Sequence, residues 1–197
     1  MTASTENAAS PAAGASVRPD FDPLTILLHW LVVVLVVAQF ATALAIDQAP
    51  PALAGALLQV HRSTGAALWG VVVIRLGWRF TGMRAPPLPP GMGRWLVVCV
   101  RLSEYGLYAL LLLQPVTGMA DTLWRGRPFA LFGQQVPRLL AKNHALAAEA
   151  HALHVWGAWL LATTIGLHAG AALFHHLVLK DSTLESMLPW ARRRRHA

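Results

Sequence analysis

Four histidines, His29, His61, His154 and His168, stand in stretches otherwise nearly free of charge. One such histidine reads as a hydrogen-bonded helix residue. Four point to chemistry, because ionisable groups inside a membrane are costly and usually functional. His154 and His168 are fourteen residues apart. On a helix that is about 21 Å of rise, and within about 40° of a whole number of turns, so both face the same way. If successive helices run in opposite directions, His61 falls at the depth of His154, and His29 at the depth of His168. Two facing histidines at one depth, on different helices of a bundle, can hold a haem iron from both sides. Zinc would gather three or four ligands, and no carboxylate lies near either pair. His175, one heptad past His168, could also meet His29. A site there would lie about 31 Å from His154, at the lipid headgroups, so depth favours His168. His175 and His176 then line the inner mouth, His144 and His151 belong to a loop or interface, and His196 to the tail.

Positioning these groups takes four spans. Hydrophobic residues make up 55% of the 197 and charged residues 13%, about half the share of a soluble domain. That balance excludes a disordered chain and disfavours a soluble one. Residues 1–20 read as a disordered leader with no signal-peptide core. Asp22 can cap a first helix with Pro23 in its first position, and the span follows at about 24–46. The second span covers about 52–80 and carries His61, Arg62 and Arg75. A loop with four prolines, 85–93, leads to the third, about 94–120, where Pro115 is an expected kink. A polar stretch, 121–150, holds Trp124, Phe129 and Phe132, which should fold it back onto the membrane surface. The fourth span covers about 151–179, and 191–197 is a basic tail. The expected fold is all-α, an integral membrane four-helix bundle with two haems between the helices. Cys99 is the one cysteine, which leaves no framework for disulfides and no Cys-x-x-Cys-His motif for covalent haem.

A net charge of +7 is no nucleic-acid signal here, because four of the sixteen basic residues form the run Arg192–Arg195. Eleven basic residues fall on the face shared by both termini and five on the other, which puts both termini in the cytoplasm. The His61–His154 pair is then the outer one. Arg62 and Ser63 are placed for the propionates of an outer haem. Arg75, fourteen residues past His61, is placed for the inner one or snorkels to the interface. Gly65, Gly157, Gly166 and Gly170 lie close in sequence to the ligands. They make room either for a macrocycle or for close helix packing.

The chain resembles the bacterial cytochrome b561 family from about residue 19 to 190. The resemblance rests on Asp22-Pro23-Leu24-Thr25 with His29-Trp30, on His61-Arg62-Ser63 with Arg75-Leu76, and on Tyr108 with Pro115-Val116-Thr117-Gly118. It continues through Arg125-Gly126 to Phe132-Gly133, then Gly166-Leu167-His168-Ala169, His175-His176, Lys180-Asp181-Ser182-Thr183-Leu184 and Met187-Leu188-Pro189. It implies two non-covalent haems b with His29, His61, His154 and His168 as axial ligands. It also implies electron exchange with ubiquinone or another quinone, in the respiratory chain of a bacterial inner membrane. Some relatives are read as oxidising superoxide outside the membrane. Two departures stand out: Val155 follows His154 where the family often has Glu, and Ser103-Glu104 stands where the third helix often has His.

Three functions compete. The first is a haem electron carrier between a periplasmic donor, superoxide or a redox protein, and quinone. In one form it is a superoxide:ubiquinone oxidoreductase that draws its anion with Arg125, Arg127, Arg138 and Lys142. The second is a cytochrome b anchor for a dehydrogenase or hydrogenase docked on 121–150. The third is a metal or proton transporter that uses the same histidines.

Overall fold

The computed structural model describes residues 21–82 and 93–189. The leader, most of the proline-rich loop and the basic tail lie outside these residues. Four long helices dominate: α1 Pro23–Gln48, α2 Pro51–Thr81, α3 Arg94–Trp124 and α4 His144–Phe174. All four are long and apolar enough to cross a membrane. Their large hydrophobic side chains point outward to an extent no soluble protein tolerates; Leu27 is 64% exposed and Trp156 74%. Lipid is the solvent those faces require, as backbone hydrogen bonds stay within each helix.

Caps fix where the helices begin. Asp22 takes the Thr25 backbone N–H at 2.9 Å and the Thr25 hydroxyl at 2.6 Å, with Pro23 next in the first turn. Burial pushes the Asp22 carboxyl up, but bonds from Thr25 and Trp78 outweigh it and hold the group below its usual range. Asn143 caps α4 through the Leu146 N–H at 3.1 Å. The helix therefore starts seven residues before the apolar span, in an alanine-rich stretch that hydropathy does not mark. Between α3 and α4 the chain forms a small antiparallel hairpin, β1 Phe129–Leu131 with β2 Gln134–Val136. Phe132 and Gly133 turn it, both at positive φ. Phe129 is buried, whereas Phe132 points out. The Phe132 N–H donates to the Ser63 hydroxyl at 2.8 Å and ties the hairpin to α2.

The helices form two antiparallel pairs, α1 with α2 and α3 with α4, joined by a thinner α2–α3 seam. Val32, Val36, Leu68, Val72, Leu111 and Leu161 make a dry layer at mid-depth. Leu68 stands midway between His61 and Arg75, and Leu161 midway between His154 and His168. An apolar septum thus separates a hairpin end from a terminal end, where the N-terminus of α1 meets the C-terminal segment.

Candidate haem-binding sites

At the hairpin end the structure brings His61 and His154 together. Their ring centres are 6.2 Å apart, and the rings stand at 86° to each other. Two imidazoles on opposite sides of one iron, each with a metal–nitrogen bond of about 2 Å, put their ring centres about 6 Å apart. The pair therefore fits one haem iron. Among the described residues no group of three or more His, Cys, Asp or Glu gathers to hold a metal ion.

Each ring leans on the helix that precedes its own. Thr42 Oγ1 lies 2.9 Å from His61 Nδ1, and Thr117 Oγ1 3.2 Å from His154 Nδ1. Gln39 Nε2 donates to the His61 carbonyl and Gln114 Nε2 to the His154 carbonyl, both at 3.1 Å. Gln39 and Gln114 are 75 positions apart, as are Thr42 and Thr117; His61 and His154 are 93 apart, as are Arg75 and His168. The two helix pairs are thus built on one plan. Gly118 lets the His154 ring lie against α3, where an added Cβ would come within 2.9 Å of Cε1.

The glycines divide between two roles. Gly65 and Gly157 seat the Gln39 and Gln114 amides, 3.5 and 3.1 Å from where a Cβ would be. Their space serves helix packing. Gly166 and Gly170 meet nothing within 4 Å. Each is two residues from His168 and so on the far side of the helix from it.

Around the hairpin-end pair, Arg62 Nε donates to Thr122 Oγ1 at 3.2 Å, and its guanidinium lies 5.8 Å from the centre of the Phe129 ring. Ser63 gives its proton to the Gln59 carbonyl and accepts from Phe132. Asp121 pairs with Arg125 at 2.9 Å and lies 3.3 Å from His151.

At the terminal end His29 lies within electrostatic reach of Arg75 and His168, and His168 within reach of Glu104 and Arg75. Arg75 Nε donates to Tyr108 Oη at 3.1 Å. Glu104 takes Arg79 at 2.8 Å and Arg101 at 3.0 Å. The position held by His29 in the first pair is held by Glu104 in the second, again 75 later. No hydrogen bond joins either imidazole here to a described residue.

His175, the rival for His29, makes another contact. After α4 a π-turn, His175–Leu179, ends at Lys180 in the left-handed conformation and returns the chain, so that Asp181 Oδ2 lies 2.6 Å from His175 Nδ1. Desolvation raises the Asp181 carboxyl, yet the bonds from His175 and Thr183 prevail and hold it at about 2. Trp30 Nε1 donates to the Met187 carbonyl at 2.8 Å and pins this returning segment to α1.

The family model for prokaryotic cytochrome b561 matches residues 20–190. A protein of Yersinia pestis called probable superoxide oxidase CybB is 32% identical over 166 residues, covering 84% of this chain and 94% of its own. Cytochrome b561 homolog 2 of Escherichia coli is 32% identical over 171 residues, 81% of this chain and 86% of its own. Cytochrome b562 of Cereibacter sphaeroides is 32% identical over 178 residues, 87% and 96% of the two chains.

Proposed function

The chain belongs to the prokaryotic cytochrome b561 family of transmembrane electron-transfer proteins, and on that premise we propose that it holds two haems b and passes electrons from a periplasmic donor to membrane quinone. Each haem, when bound, supplies a one-electron couple. His61 and His154 would hold one iron, and His29 and His168 the other. The 6.2 Å spacing of the first pair is the observation that carries the reading.

With two histidines supplied to each bound haem, a donor or acceptor would exchange electrons through the edge of the group rather than bind its metal. Arg62 and Ser63 would meet the propionates at the hairpin end, Ser63 by turning its proton from the Gln59 carbonyl. Arg75 meets those at the terminal end. The layer of Val32, Val36, Leu68, Val72, Leu111 and Leu161 keeps water and ions out of the roughly 21 Å between ligand layers, so that electrons cross without a proton leak. The excess of basic residues on the terminal side supports a cytoplasmic location for that side and for both termini with it. Domain limits follow: a leader to residue 20, the haem-binding bundle over 21–190, and a cytoplasmic tail.

The name of the Yersinia pestis relative favours superoxide as the donor. Two superoxide anions each lose one electron and leave as dioxygen; one quinone gains two electrons and two protons and leaves as quinol. Arg127, Arg138 and Lys142 in the 121–150 segment are the cations available to draw the anion in. The deciding experiment is a reduced-minus-oxidised spectrum with haem counted per chain, followed by superoxide-driven quinone reduction. Two extractable haems and quinol formation are expected. A colourless protein, or one haem per chain, overturns the di-haem carrier.

A further inference from the structure

We infer that Thr42 and Thr117 are positioning residues that fix the tautomer and ring angle of His61 and His154, presenting both Nε2 atoms to one iron. The inference rests on the ligand reading above.

The protons can be assigned by elimination. A threonine hydroxyl has one proton to give. Thr42 Oγ1 lies 2.7 Å from the Ala38 carbonyl and 3.0 Å from the Gln39 carbonyl, and both oxygens can only accept. Its proton is assigned to the backbone of its own helix, in keeping with the Gln39 backbone that lies beside the His61 ring as a further acceptor. Toward His61 Nδ1, at 2.9 Å, the hydroxyl is left as acceptor, so Nδ1 carries the hydrogen. A neutral imidazole has one N–H, and Nε2 keeps its lone pair. His154 reaches the same state independently. Thr117 Oγ1 donates to the Gln114 carbonyl at 2.9 Å, and His154 Nδ1 lies 3.0 Å from that same carbonyl, which can only accept. Both Nδ1 atoms are then donors, and neither Nε2 atom has a hydrogen-bond partner among the described residues.

The two anchors follow one plan, a threonine hydroxyl and the backbone of the glutamine three residues before it. His154 Nδ1 has two acceptors, the Thr117 hydroxyl and the Gln114 carbonyl. The His61 ring has the Thr42 hydroxyl and, beside it, the backbone of Gln39. A hydrogen bond from the distal ring nitrogen makes an imidazole a stronger electron donor and holds its plane. Removing it weakens the ligand and favours the reduced iron.

The test uses the full-length protein carrying its haems, with T42V, T42A, T42S and T117V. T42A and T42S differ by the hydroxyl alone. T42V and T42A should shift the one-electron equilibrium of the His61–His154 haem toward reduction by about tenfold, or 59 mV. They should also change the anisotropy of its low-spin EPR signal, which reports the 86° between the imidazole planes. T42S should restore both, and T117V should move both in the same direction as T42V. The second haem serves as internal control and should not move. If T42A and T42V lose the haem outright, its retention in T42S still credits the hydroxyl. Loss in T42S as well credits the methyl group and overturns the inference, as do unchanged potential and EPR in T42V and T42A. The ligand reading fails separately: His61→Ala keeping both haem signals sinks it before any threonine is changed.

Discussion

The two ends of the bundle hold their histidine pairs by different means. At the hairpin end each ring is fixed by a threonine, and each backbone by a glutamine, from the helix before it. At the terminal end the rings have no such anchor among the described residues, and charge surrounds them instead: Arg75 on Tyr108, and Arg79 and Arg101 on Glu104. Hydrogen bonds fix geometry and ligand strength; nearby cations favour the reduced iron through the field alone. On the proposed assignment the anchored pair would be the low-potential entry and the pair beside Arg75 the higher-potential exit, the order that inward electron flow would need.

The largest test of this contrast is loss of the sites themselves. His61→Ala and His154→Ala should abolish the same haem signal, and His29→Ala and His168→Ala the other. Pyridine haemochrome counts near one per chain in each variant, with two spectral classes, are expected. If His168→Ala keeps both haems and His175→Ala loses one, the terminal pairing is mistaken.

Next in size are the glycines. Gly118→Ala drives a Cβ into the His154 ring and should weaken haem retention at the hairpin end by about tenfold, the lower end of the range for losing a ligand's support. Gly166→Ala and Gly170→Ala, beside His168 in sequence but pointing away from it, should retain both haems. Haem loss from either would show that the macrocycle reaches around α4.

A smaller effect is due from Arg75→Gln. A unit charge roughly 8 Å from an iron is worth about 2 kcal/mol at an effective dielectric constant near 20, and propionates would offset about half. Redox titration should therefore find the terminal-end haem harder to reduce by about fivefold in equilibrium, with the other unchanged. Equal shifts in both would erase the distinction between the ends.

The smallest effect concerns the returning C-terminal segment. Asp181 is held at about 2 against an ordinary 3.8. A lowered carboxyl stabilises the fold above its ordinary value and loses that contribution as pH falls through the lowered one. The Asp181 turn should therefore loosen between about pH 4 and pH 2, seen as faster amide exchange over 181–188. Asp181→Asn should remove that pH step. A step that survives in the variant belongs to another group.

The spans and the depth matching of histidines were legible because hydropathy and a 3.6-residue period are written in residue type alone. Rise per residue favoured His168 over His175 as a proposed ligand; the partner of His175, Asp181, was not legible, because a π-turn and a left-handed Lys180 set that contact. The glycines near the ligands pointed ambiguously. Gly65 and Gly157 share a face with their histidines yet seat glutamine amides, which no count of small residues can tell from room for a macrocycle. Gln39, Thr42, Gln114 and Thr117 escaped a search for charged groups. A signal existed in the Gln-x-x-Thr pattern, written twice in apolar helix at a constant offset. The hairpin at 129–136 was hidden because three-residue strands carry almost no period.

The thin α2–α3 seam has a consequence for biogenesis. Both proposed ligand pairs join the first helical hairpin to the second, His61 to His154 and His29 to His168, with α4 supplying one ligand to each. Neither hairpin can complete an iron site alone. The cofactor thus rivets together two halves that hold each other weakly without it. In a cell short of haem the newly inserted chain would stay as loosely joined hairpins with unburied histidines, the form that membrane proteases remove. On this reading cellular abundance of the protein should follow haem supply, and co-expressed halves of the chain should assemble in step with the haem they share.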